Sequence, residues 1–290
     1  MRREEEAVEI GGFRLLGLLA EGGTARVYRA EGPEGFAALK IFRTPLPEEV
    51  VELAGALMEL EHPHLARIFA VGEDWAAMEL LPGPNLEELL DGGKLPVERA
   101  LPLVTRMAEG LATLHGAGFV HRDLKPSNVI VVDDDHPKIV DFGLARRIGA
   151  TAGERGFEGS WGYAAPEQIQ GHPVDPRSDV YALGIVLYRM LVGHLPFGDA
   201  PVAAALGHLH DRPPPPRSLD PTIPPAVEAL LLRALAKDPE ARFPSMEAFA
   251  AALERCAAAV PGRAPTSRRP WYLMAAAAAA FGLIAATLAC

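Results

Sequence analysis

Eight consecutive residues, His121 to Asn128, constrain this chain more than any other stretch; they read H-R-D-L-K-P-S-N. A run with apolar residues at helical spacing precedes them and ends near Gly118 and Phe119. An apolar, β-rich run, Val129 to Val132, follows. A polar segment is therefore expected between two buried elements. An acid, two fixed cations and an amide packed this closely suit the movement of a phosphoryl group. The acid can accept a hydroxyl proton, a cation can meet the developing charge, and the amide can hold a metal ion. The plainer reading is a polar turn between helix and strand.

Composition allows a substantial core and removes some alternatives. Of 290 residues, 49% are hydrophobic and 23% charged, ordinary values for a globular chain. The formal net charge of -10, with no basic stripe to offset it, argues against nucleic acid as the main partner. Two cysteines, Cys256 and Cys290, are too few and too peripheral for a disulfide framework. The charged N-terminal stretch has no apolar run behind it, so no cleaved export signal is expected.

Taken in order, Phe13 to Phe42 reads as three short strands with a turn at Glu31 to Gly35. Pro47 to Glu61 has the composition of a helix, and Arg67 to Leu81 reads as two more strands. Asn85 is placed to cap a short helix, Leu86 to Leu90. Pro96 to Ala117 carries Ala100, Leu103, Val104, Met107, Leu111 and Leu114 at helical spacing. A strand over Lys138 to Val140 leads into D-F-G at Asp141 to Gly143, thirteen residues after Asn128. A hydrophobic helix runs from Asp179 to Leu191, and helices near Pro225–Ala236 and Pro244–Cys256 close the globular part.

The segment H-R-D-L-K-P-S-N, the A-L-K-I strand at Ala38 to Ile41, D-F-G, and G-S-W-G-Y-A-A-P-E at Gly159 to Glu167 occur in one order. Together they resemble the eukaryotic-like (Hanks-type) bacterial serine/threonine protein kinases, over about Phe13 to Leu253. The resemblance implies an α+β, bilobal protein-kinase-like fold with a small β-rich N-lobe (13–81) and a large helical C-lobe (82–255). It also implies ATP and Mg²⁺ (or Mn²⁺), protein substrates carrying Ser or Thr, and a possible homodimer for autophosphorylation in trans. Asp123 and Lys125 take the catalytic positions, and the lysine two places after the acid is the serine/threonine form of the loop. Asn128 and Asp141 are the expected metal ligands.

The resemblance also distributes the nucleotide site. The turn after Leu19, with Ala20, Glu21, Gly22, Gly23, Thr24 and Ala25, stands where the family has G-x-G-x-x-G-x-V; only Gly22 keeps a family glycine. Val27 would roof the adenine, Ala38 would belong to the ATP site, Lys40 would reach the α- and β-phosphates, and Met78 would set the pocket's depth. The backbone of Glu79 and Leu81 would bond the adenine edge. The helix glutamate that pairs with Lys40 falls, by family spacing, at Leu53; of its neighbours Glu49 and Glu52, Glu52 is the expected partner.

Supporting positions follow from the same resemblance. Arg122 hints at control by a phosphorylated loop, for which Thr151 is the expected site, unless it is an unmodified loop threonine. Ser160 would bond the catalytic acid and lysine, Asp179 would tether the H-R-D turn, and Glu167 would pair with Arg242. Two alternatives remain open: a pseudokinase acting as an ATP-binding scaffold, favoured by Ala20, Ala25 and Leu53, and a kinase of small molecules sharing the H-x-D…N core.

Residues 256–270 change to small residues, Pro and Ser with three arginines, and read as a linker. Trp271 to Cys290 has no charged side chain and just reaches the ~20 residues that cross ~30 Å of hydrocarbon. Aromatic residues at its start and arginines before it fit a C-terminal single transmembrane helix with the kinase inside the cell. A single-pass anchor in the cell membrane, with a cytoplasmic kinase domain, is the expectation; a soluble helix is the alternative for so alanine-rich a stretch.

Overall fold

Alternation of apolar residues builds the first layer. In the computed structural model, which describes residues 8–133, 135–151, 157 and 159–260, the strands β1 (Glu9–Ile10), β2 (Phe13–Glu21), β3 (Ala25–Gly32) and β4 (Gly35–Phe42) form consecutive antiparallel pairs. β5 (Ile68–Val71) and β6 (Trp75–Glu79) complete one antiparallel sheet in the order β1-β2-β3-β4-β6-β5. One face buries Phe13, Ala30, Ala37, Leu39 and Ala77, with Phe69 and Trp75 packed against them. Helix α1 (Glu48–Met58) starts at Pro47, whose fixed φ suits a helix entry, and packs against β5. Its inward positions are Val50, Leu53 and Leu57, spaced i, i+3, i+7.

The second layer is helical. The short α2 (Leu86–Asp91) opens with the expected cap: Asn85 accepts from the Glu88 N–H and the Glu88 carboxylate accepts from the Asn85 N–H. α3 (Val97–Gly116) buries the predicted stripe, and the chain leaves it through Gly118 at φ 88°. β7 (Phe119–Val120), β8 (Val129–Val132), β9 (His136–Ile139) and β10 (Arg146–Arg147) form two small antiparallel ribbons. After α4 (Pro166–Ile169), helix α5 (Pro176–Val192) is buried at every residue from Ser178 to Tyr188, the pattern of a helix surrounded by protein. Asp175 caps it and Gly193 ends it at φ 94°. The lobe is finished by α6 (Pro201–His210), α7 (Pro216–Leu219), α8 (Pro225–Ala234) and α9 (Met246–Ala259).

The strands and long helices fall where the sequence places them, in a small β-lobe and a large helical lobe. Several boundaries move by a few residues: β9 is His136–Ile139 rather than Lys138–Val140, α1 ends at Met58, α5 starts at Pro176, and α9 runs to Ala259 rather than ending near residue 256, because Cys256 and Ala257 are buried. The helix α6 and the short strands β1, β7 and β10 were not anticipated. Residues up to Ala259 make one compact unit and a second begins at Val260. Among the described residues no helix is long and apolar enough to cross a membrane; the expected span, 271–290, lies outside them.

Candidate active site

Asp179, at the start of α5, organises the polar loop. Its Oδ2 accepts from the His121 N–H (2.8 Å) and lies 2.8 Å from His115 Nε2, and its Oδ1 accepts from the Arg122 N–H at 3.0 Å. Burial alone would raise this carboxyl's pKa, but the His115 ring and the N–H groups outweigh it and hold it below the usual carboxylate range. The bonds fix Arg122 at φ 69°, a left-handed conformation that costs a non-glycine residue about 1–2 kcal/mol. Gln168, a residue with no signal in the sequence, adds a bond from its Nε2 to the Arg122 carbonyl at 2.8 Å.

With the turn fixed, four side chains converge. Asp123 Oδ1 accepts from the Ser160 N–H at 2.9 Å, and its Oδ2 lies 3.1 Å from Lys125 Nζ. Lys125 Nζ also donates to Ser160 Oγ at 2.8 Å. Asn128 Nδ2 donates to the Asp123 carbonyl (2.9 Å) and to its Oδ2 (3.3 Å). The amide nitrogen is thus directed to Asp123, which leaves Asn128 Oδ1 as an acceptor. A bond from the Val140 N–H to the Asn128 carbonyl, 2.9 Å, sets Asp141 beside this group. Asp141 has φ 66°, and the ring of Phe142 meets that of His121 edge-on at 5.5 Å.

The small lobe supplies a cation. Lys40 Nζ lies 2.5 Å from Asp141 Oδ1, with the lysine 13% and the aspartate 36% exposed, so the acid keeps an open side. Against the raising effect of burial, Lys40 and the Gly143 N–H hold the Asp141 carboxyl below its usual range. Strand register gathers the other expected positions on Lys40's face: Val27 is opposite Lys40 and Ala20 opposite Val27, while Ala38 is opposite Met78. Glu79 and Leu81 follow, half-buried, where the chain leaves β6. The hairpin tip, Gly22 to Thr24, is exposed and Leu19 is 52% exposed. Neither Gly22 nor Gly23 has a positive φ, and a methyl on Gly23 would meet nothing within 4 Å. The backbone does not demand glycine at Gly22 or Gly23.

Asn128 Oδ1 and the open side of the Asp141 carboxylate are hard oxygen donors next to a lysine and a glycine hairpin. That donor set fits Mg²⁺ or Mn²⁺ carried in with a nucleotide's phosphates.

Comparison with known proteins agrees. A family model described as the protein kinase domain matches residues 13–253. A probable serine/threonine-protein kinase of Streptomyces coelicolor is 36% identical over 275 residues, 87% of this chain and 41% of its own length. A serine/threonine-protein kinase of Myxococcus xanthus is 37% identical over 269 residues, 83% of this chain and 49% of its own. Another, from Mycobacterium tuberculosis, is 33% identical over 282 residues, 89% and 48% respectively. This chain belongs to the protein kinase family. It spans about two fifths to one half of the length of these relatives.

One expectation about this kinase domain needs correction. Glu52 is exposed, while Leu53 is buried and lines an apolar cavity with Val50, Leu57, Met78 and Phe142. The apolar spacing of α1 turns Glu52 to solvent, and the carboxylate beside Lys40 is that of Asp141. The Glu167–Arg242 pair is bidentate and buried, at 2.7 and 2.8 Å, with Ser178 Oγ donating to the same carboxylate at 2.7 Å. Thr151 is exposed; residues 152–156 after it lie outside those described. The sequence also gave no sign of Lys138, whose Nζ contacts both carboxylate oxygens of Glu79 at 2.7 Å and ties β9 to the end of β6.

Proposed function

We propose that this chain is an ATP-dependent serine/threonine protein kinase. The observation that carries the reading is the closed set of bonds among Asp123, Lys125, Ser160 and Asn128, facing the Lys40–Asp141 pair. Asp123 Oδ2 would orient an incoming serine or threonine hydroxyl and accept its proton. Lys125 would meet the charge on the transferring phosphoryl group, and Ser160 keeps acid and lysine in register. Lys40 would hold the α- and β-phosphates under the Gly22–Thr24 hairpin, with Val27, Ala38 and Met78 around the base. A bound Mg²⁺, or Mn²⁺, would neutralise phosphate charge, held by Asn128 Oδ1 and Asp141. The transition state is loose, so alignment and charge carry most of the rate.

We also propose autophosphorylation, with Thr151 as the acceptor and a transient homodimer as the means. Residues 271–290 would anchor the chain in the cell membrane with the kinase domain on the cytoplasmic side; an uncharged run of 20 residues behind arginines supports this. Full-length protein incubated with γ-labelled ATP and Mg²⁺ should label itself and a generic basic protein on serine or threonine. The Asp123→Ala variant should not. A silent wild type that still binds ATP would make the chain a scaffold instead. Loss of residues 271–290 should move the protein from the membrane to the soluble fraction.

A further inference from the structure

Three charged or hydroxyl side chains outside the site form a clamp at its edge. Arg189, on α5, donates from Nη1 to Glu87 Oε2 at 2.7 Å and to the Tyr163 hydroxyl at 2.5 Å; its Nη2 bonds Glu87 Oε1. Glu87 stands in the first turn of α2, which begins directly after the linker from β6. The arginine is 18% exposed and the glutamate 38%, while Tyr163 is buried, so the pair is partly shielded from water and salt. Burial keeps the Tyr163 hydroxyl protonated by pushing its pKa up to about 12.

Tyr163 closes the turn that carries Ser160, since its N–H donates to the Ser160 carbonyl at 3.0 Å. Between them, Gly162 presses on Leu195: a methyl at Gly162 would come within 2.7 Å of Leu195 Cδ1. The other end of the turn is the Ser160 that bonds both Asp123 and Lys125. A continuous path therefore runs Glu87, Arg189, Tyr163, Ser160, Asp123.

We infer that Glu87 and Arg189 are positioning residues that hold the 160–163 turn against Asp123 and Lys125, on the side where the substrate hydroxyl would be oriented and away from Lys40, so that their ion pair sets protein-substrate affinity and not nucleotide affinity. The inference rests on the kinase reading. It also says why a glutamate just beyond the linker matters: it fixes the orientation of Arg189, and Arg189 fixes Tyr163. Neither side chain touches the reacting atoms.

The test uses the full chain and three variants: Glu87→Gln, Arg189→Glu, and the double exchange Glu87→Arg with Arg189→Glu. In the double exchange the new Glu at position 189 can accept from the Tyr163 hydroxyl, which donates as readily as it accepts. Kinetics with a generic basic protein should show KM for the protein raised about 10-fold in each single variant, with KM for ATP within about two-fold of wild type. The double exchange should recover most of that loss. Amide hydrogen exchange of a peptide covering 160–165 should quicken about 10-fold in the single variants and return in the double exchange. Equal loss of protein and ATP affinity, no rescue, or unchanged exchange in the single variants would each overturn the inference. A wild type that transfers no phosphate while the exchange pattern holds would instead overturn the kinase reading and leave the clamp standing.

Discussion

Asp179→Asn is the substitution whose cost follows most directly from the geometry. The wild-type carboxylate takes three donors: two N–H groups at 2.8 and 3.0 Å and the His115 ring at 2.8 Å. Asparagine fills the same space but offers one oxygen and turns an NH₂ towards at least one N–H. One bond is then lost with its buried donor left unpaired, about 1–3 kcal/mol, and two charge-assisted bonds become neutral, roughly 1 kcal/mol each. The total is about 3–5 kcal/mol. At about 2–4 °C per kcal/mol for a domain of this size, the melting temperature should fall by about 6–20 °C. Arg122, no longer held at φ 69°, relaxes and carries Asp123 with it, so kcat should fall by about 100-fold even below the new melting temperature. Thermal unfolding and steady-state transfer to a basic protein give both numbers. A variant melting within about 2 °C of wild type, with kcat within two-fold, would refute the tether argument.

Stability should fall as pH drops from about 6.5 towards 4, because burial pushes His64 and His208 down to about 4 and the unfolded chain takes up their protons first. The slope should approach about 1.4 kcal/mol per pH unit for each, and His64→Gln, which can still donate to the Pro137 carbonyl, should roughly halve it in melts at pH 7 and 5. Gly83→Ala should lower the melting temperature and raise KM for ATP together. Gly83 has φ 125° and a methyl there would sit 2.4 Å from the Val131 carbonyl oxygen, which displaces the linker after Glu79. A melt and an ATP titration check it.

The parts of the site that were legible in the sequence are local. His121 to Asn128 is bounded by two elements whose periodicity announces them, and Asn85 declares its own capped helix. The register of α1 was misjudged, because the family's need for an acid near position 53 pointed to Glu52 although Val50, Leu53 and Leu57 recur at the spacing of an inner face. An expected acid opposite Lys40 competes with that spacing, and packing decides for Leu53. Bonds between distant positions were legible only where the family resemblance names both partners, as for Glu167 with Arg242 and Asp179 with the His121–Arg122 turn; the others could not be read. Glu79 and Lys138 are 59 residues apart and Glu87 and Arg189 are 102 apart, and a charge in an amphipathic sequence does not name its partner. Helix α6 escaped notice because its alanines, glycine and histidines make no clean apolar stripe, and its exposed Val202 and Leu206 belong to no core. The extra turn of α9 is settled by burial of Cys256 and Ala257, which small residues do not advertise.

The central claim is that Asp123 acts on the substrate hydroxyl and Lys40 on the nucleotide. Comparing wild type with Asp123→Asn, with ATP affinity and phosphoryl transfer measured on the same samples, tests it most directly. Asparagine keeps the bond from the Ser160 N–H but has no base to offer the hydroxyl proton. The account predicts ATP binding within about two-fold of wild type and transfer reduced by about 100-fold or more. Undiminished transfer, or a loss of transfer matched by an equal loss of ATP affinity, would contradict it.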